Sequence, residues 1–279
     1  MIYNGYVKDS ATKGRRKFIA LFAAGFVFYA VFNWAQELFH VIMISQKGDV
    51  TFILNLLIIF LFGFFIFLFF SGITVSIHYL FVSRDLPLLI SSPMSNKTIF
   101  SYKLIESVFT NSSFFLFVGI PIFIAFGDVT QNMNVFYILG MTLTVLAFIT
   151  LPVSISFIIS LFIVRILPAS RAKELMAVLL GLISLGLWFF IQIFRAEEFN
   201  RFSTDYNADK IAQLSQFSGN HFIEYLPSSL AAKSIFAFAL NDYQQLISGF
   251  IPLVIMTIIV IIAALKKKKK VFDAGIISP

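Results

Sequence analysis

No cysteine occurs anywhere in the chain, which excludes disulfides and thiol-ligated metal sites. Histidine is almost as scarce. His40, His78 and His221 are scattered and no HExxH helix is present, so a zinc peptidase has no ligand set to build on. The phosphate-cradling pattern GxxxxGK[ST] is missing, and with it the residues by which the chain would hydrolyse ATP itself. Charge is thin too, at 13% of the 279 residues. The long apolar runs hold almost no ionisable side chains, whereas proton- and sodium-coupled carriers keep carboxylates at mid-membrane. These absences lead us to expect no catalytic residues, no metal site and no cofactor in this chain.

What is there is apolar. The chain is 59% hydrophobic with 37 phenylalanines, and its mean hydropathy is +0.90. That composition belongs to an all-α polytopic membrane protein and leaves no room for a soluble catalytic domain beside the spans. A helix needs about 20 residues to cross about 30 Å of hydrocarbon. On that measure residues 1–279 form one transmembrane domain with six spans, at 18–35, 52–82, 108–126, 135–164, 175–194 and 246–265. The first follows Lys13, Arg15, Arg16 and Lys17 as a secretory leader would. No small-x-small cleavage site comes after it, however, and Trp34 takes an interfacial belt position, so it reads as an uncleaved span with a short connection at 36–51.

The formal net charge of +7 reports orientation before it reports any nucleic-acid partner. Five lysines and arginines precede the first span, three lie between spans two and three, three near Arg165 and five after the last span, against five elsewhere. The positive-inside rule then sets both termini inside, the 83–107 loop on the cytoplasmic face and the 195–245 loop outside. The 266–270 lysine run reads as a stop-transfer anchor on the anionic inner leaflet.

Three stretches stand out as candidate sites. In the second span Gly63, Ser71, Thr74 and His78 fall within roughly a quarter-turn at about 100° per residue, a stripe able to line a pathway or to pack helix against helix. In the external loop Phe199, Phe202, Tyr206, Leu214 and Phe217 recur at near-helical spacing, as on an amphipathic surface helix. Farther along, Ser228 or Ser229 can cap a helix after Pro227, and its run of about a dozen apolar residues is too short to span, so it reads as interfacial or re-entrant. Glu197, Glu198, Arg201, Phe217 and His221 superficially resemble glutamate-type intramembrane protease motifs. Their spacing is one residue short and they lie outside the spans, so they read as a solvated helix start.

The third candidate is residues 84–106, RDLPLLISSPMSNKTIFSYKLIE. Asp85 can cap a short helix with Pro87 in its first turn, Ser91-Ser92-Pro93 ends it, and Ser95 or Asn96 starts the next. A short apolar helix held in water is either something for a partner to push on or a helix lying on the bilayer. The stretch resembles the loop between spans two and three of bacterial ABC-2-type ABC transporter permeases, one branch of which carries an acidic-Leu-Leu-Ser-x-Pro pattern before a Lys-containing helix. The later YLPSSLAAKSIFAF, residues 225–238, is similar to the Pro-led external helical segment before the last span of that family.

The resemblance implies a coupling helix at 85–92 that contacts a separate cytosolic ABC ATPase subunit through Arg84, Asp85, Leu86, Leu88, Leu89, Ser92, Pro93 and Lys97. It implies that ATP and magnesium bind in that partner. It also implies a dimer with a second permease copy or a related permease, surrounded by lipid in the bacterial cytoplasmic membrane. The function expected is export of an amphiphilic substrate such as a peptide, drug or lipid. The alternative is a non-transporting immunity or sensor protein that binds a peptide through its external loop.

Overall fold

Lipid offers a peptide group no hydrogen-bond partner, so an apolar chain there closes its own backbone bonds and becomes helix. The computed structural model describes residues 3–45, 51–83, 85–166, 177–178, 181, 184–185, 188 and 224–275, and among them there is no strand. The elements are α1 (Tyr3–Ser45), α2 (Thr51–Ile77), α3 (Leu86–Ser91), α4 (Asn96–Val129), α5 (Val135–Ile166), α6 (Pro227–Leu240) and α7 (Tyr243–Gly275). Between α2 and α3 the chain takes one wide turn, His78–Val82, closed by the Ser83 N–H on the His78 carbonyl at 2.9 Å.

Among the described residues five helices are long and apolar enough to cross a bilayer: Phe22–Ile44, Phe52–Leu80, Thr98–Val129, Val135–Ile163 and Tyr243–Lys266. The described part is thus helical and built as in a multi-pass membrane protein. The expected span at 175–194 lies almost wholly outside the described residues, as do Arg84 and the expected surface residues Phe199, Phe202, Tyr206, Leu214 and Phe217.

Two boundaries differ from the sequence reading. The first span was expected to stop at Ala35, but α1 runs on to Ser45. Gln36 and Glu37 are straight-chain residues that a helix accepts, and the Gln36 amide donates to Asp128 at the far end of α4 at 2.7 Å. Phe39 meets Phe126 edge to face at 5.8 Å between centroids. The third span likewise starts earlier than expected, because the Lys-containing run-in and the span are one continuous helix, α4.

α5 is the most enclosed by its neighbours, packing against α2, α4, α6 and α7, and α2 packs in turn against α4, α5 and α6. Of the two expected placements, interfacial or re-entrant, the structure departs from the interfacial one, because α6 is buried in the bundle. It is wedged among α2, α5 and α7, and residues from Ser228 to Ala239 are buried save Lys233. Small residues permit this. Gly249 of α7 comes so near that a Cβ there would lie 3.1 Å from the Leu230 carbonyl, and Gly140 of α5 leaves the space that the Phe238 ring fills. No serine caps α6. Leu226 takes the cap position, Pro227 the first turn, and the Ser228 and Ser229 hydroxyls have no partner. The helix ends at Asn241, left-handed at φ 56°, and Asp242 then caps α7 through the Gln244 and Gln245 N–H groups at 3.0 and 3.2 Å.

The bundle therefore has two distinct ends. One carries α6, the α4–α5 turn and the start of α7. The other carries the wide turn, α3 and the start of α4, with Leu265 of α7 against the Leu80, Phe100, Leu104, Phe157 and Leu161 cluster.

Candidate functional site

At that second end, α3 is cut to six residues by local chemistry. Pro87 sits in its first turn, where a missing N–H costs nothing. At its end the hydroxyls of Ser91 and Ser92 donate to the Leu88 and Leu89 carbonyls at 3.0 and 2.6 Å, closing the last turn on itself. Pro93 then bars continuation. Ser95 opens α4, its hydroxyl accepting from the Thr98 N–H at 3.3 Å.

Asp85 occupies the cap position of α3 but does not cap it with its side chain. Its carboxylate is turned instead toward Lys103, two turns into α4. The Lys103 ammonium donates to Asp85 Oδ2 at 2.6 Å and Glu106 Oε2 at 2.9 Å, and lies 3.4 Å from Ser83 Oγ. The Ser83 hydroxyl bonds the other Asp85 oxygen. A carboxylate bond to helix N–H groups is charge-assisted too, but only the ammonium pairs two full opposite charges, here at 2.6 Å. Lys103 also stands over the Tyr79 and Tyr102 rings, at 5.4 and 5.5 Å from their centroids. Its side chain is 1% exposed and that of Asp85 45%. The Lys103 bond, followed by the Ser83 bond, holds the Asp85 carboxyl below the usual carboxylate range.

The surface this leaves is apolar at its tip. Leu88 is 74% exposed, Pro93 and Met94 are exposed, and Leu89 and Ser92 are half-buried. The side chains of Leu86 and Lys97 lie outside the described residues.

The second-span stripe is differently disposed. The Ser71 hydroxyl donates to Asn111 Oδ1 at 2.5 Å, Thr74 has a buried hydroxyl without a partner, Gly63 is half-buried, and His78 is exposed with its ring edge-on to Tyr79. Asn111 in turn donates to the Leu68 carbonyl at 2.9 Å. Ser76 pairs with Ser107 at 3.2 Å, so α2 and α4 are bonded at two levels, and Tyr79 of the wide turn pairs with Thr110 at 2.9 Å. On the other flank Ser156 and Ser160 of α5 donate to the Phe69 and Ile73 carbonyls of α2 at 2.5 and 3.1 Å. The Ser71, Ser76, Ser156 and Ser160 hydroxyls thus serve helix–helix contact.

Sequence reasoning missed Lys103 as the hub, along with Asn111, Ser156 and Ser160. The four-residue spacing of Ser156 and Ser160 in an apolar run was a signal for a polar helix face. Nothing in the sequence marks the 18-residue reach from Lys103 back to Asp85.

Among the described residues no group of three acidic or histidine side chains could hold a metal ion. The family model described as "Putative ATP-binding cassette" matches residues 10–277. No curated protein and no solved structure matches the chain.

Proposed function

The chain belongs to this ATP-binding-cassette family, and we propose that it is the membrane-spanning permease subunit of an ATP-driven exporter. The family's description names an ATP-binding cassette, yet the sequence has no GxxxxGK[ST] loop and five helices of it suit a bilayer. ATP and magnesium in this reading bind a separate cytosolic subunit, and this chain performs no hydrolysis. The observation that carries the reading is α3, a short helix with Leu88 exposed, pinned by charge at one end of the bundle. Lys266 and the basic run after it leave the bundle at that same end, which supports a cytoplasmic placement for α3 in the bacterial inner membrane.

A nucleotide-binding subunit gripping Leu88 would transmit its closure into α2 and α4, the helices that flank α3. The substrate path then runs between two permease copies, or between this chain and a related permease, and its apolar walls favour an amphiphile such as a peptide, drug or lipid.

Replacing Leu88 and Leu89 together by Asp tests the reading. Native protein is expected to co-purify with a subunit that carries a phosphate loop and hydrolyses ATP, and the double variant to insert normally but lose that subunit. Undiminished capture by the inserted variant overturns the proposal.

A further inference from the structure

We propose that Lys103 is a positioning residue that fastens α3 to α4, so that force applied at α3 turns α4 instead of being absorbed by the loops on either side. The transmission step rests on the permease reading; the fastening itself does not.

A six-residue helix cannot hold itself together in water, because nucleation fixes several residues for each bond gained. α3 therefore needs an anchor, and its covalent flanks are poor ones. Before it runs the wide His78–Val82 turn with Ser83 in extended conformation. After it Ser92 and Ser95 are extended, at ψ 156° and 144°. Neither flank carries helical rigidity across the junction.

Lys103 bridges the gap. One ammonium gathers Asp85 at the head of α3, Ser83 before it and Glu106 on its own helix. It also covers the Tyr79 ring, whose hydroxyl is bonded to Thr110, so the wide turn too is tied to α4. Among the described residues no other ion pair joins this segment to a long helix. A buried ammonium is held only at a desolvation cost that its partners must offset. That cost suits a residue whose contribution is a fixed geometry. Farther along, Ser107 and Asn111 bind α4 to α2, so a push on α3 reaches the α2–α4 pair as one body.

The absence of cysteine makes single-site spin labelling direct. With full-length protein in liposomes, a nitroxide at Leu88→Cys is expected to show restricted motion. Adding Lys103→Met should abolish the slow spectral component, while a label at Leu139→Cys on α5 stays unchanged. Lys103→Arg should preserve the slow component. Asp85→Lys with Lys103→Asp and Glu106→Gln, which spares the new carboxylate a like charge beside it, should restore it, which loss of packing alone would not allow. If Lys103→Met fails to insert, Asp85→Asn removes the same tie from its exposed side and must mobilise the label equally. An immobile label in the Met variant, or in the Asn variant where that one is used, overturns the fastening.

The second arm uses the complex with the captured ATPase and a label at Phe109→Cys on α4. ATP, magnesium and vanadate should shift its spectrum in the Lys103 protein and not in Lys103→Met, although the ATPase remains bound. An equal shift in both overturns transmission through Lys103. If the native chain captures no ATPase, the permease reading and the transmission step fail together, and the Leu88 label still decides the fastening.

Discussion

Two helices too short to cross a bilayer sit at opposite ends of this bundle, and they are held by opposite means. α3 has six residues, leaves Leu88 exposed and is anchored by one lysine. α6 has 14 residues and is enclosed by apolar and small side chains, with Phe236 stacked on Phe126 at 5.7 Å and Phe238 set between Phe136 and Phe250. Apolar packing is non-directional and shared among many contacts, so α6 behaves as part of the core. A charge-assisted hydrogen bond is directional and concentrated in a few atoms, so it holds α3 in one geometry against α4 without enclosing it. An element that must be moved by a partner suits the second kind of attachment; an element that must close one end of a bundle suits the first.

The sharpest break in this contrast should come at α6. Phe238→Ala removes a ring from the space left by Gly140 and is expected to destabilise the protein by about 3–5 kcal/mol, chiefly as lost dispersion and cavity energy. Thermal unfolding in detergent should show a clearly lowered midpoint. If instead Asp85→Asn lowers the midpoint as much, the two attachments are not of different kinds.

A smaller effect is expected from protonating the latch. Lys103 and Ser83 face Asp85, Glu106 shares the lysine, and Tyr79 and Tyr102 flank it. The folded-state pKa of Asp85 lies below its ordinary value, so its contribution is complete above that value and is lost as pH falls through the depressed one. The mobility of a Leu88→Cys label should therefore be constant from about pH 8 to about pH 5 and rise only below the usual carboxylate range, with α6 unaffected. Mobilisation near neutral pH would show that Asp85 is not the partner that matters.

The smallest change is expected at Ser156→Ala. The hydroxyl bonds both Phe69 of α2 and Pro152 of its own helix, and such bonds in membrane proteins contribute about 0.6 kcal/mol on average. Unfolding of this variant should match the parent closely. A large loss would place the α2–α5 hydroxyl seam beside the latch as a decisive polar contact.

Much of α3 was legible because its limits are set by neighbours in sequence: Pro87 tolerated in a first turn, Ser92-Pro93 as a stop, Ser95 as a cap. The role of Asp85 was not. A cap position predicts that a carboxylate will serve its own helix, and only the buried ammonium two turns into α4 outbids those N–H groups. The burial of α6 was equally hidden. Its length argued against spanning, but whether a short apolar helix lies on a bilayer or inside a bundle depends on Gly140 and Gly249, which belong to other helices.

By itself the sequence determined that this is a multi-span helical membrane protein with an interrupted apolar loop between its second and third spans. It could do so because helical hydrogen bonds and their breakers act within a few residues, and because hydrocarbon leaves a chain no other way to satisfy its backbone. Only the tertiary structure decided that α1 continues past its polar residues to reach Asp128, that α6 is core, and that Lys103 holds α3. Each of those outcomes depends on side chains distant in sequence meeting at a few ångströms, and such meetings follow from how the helices pack and not from what any one stretch prefers.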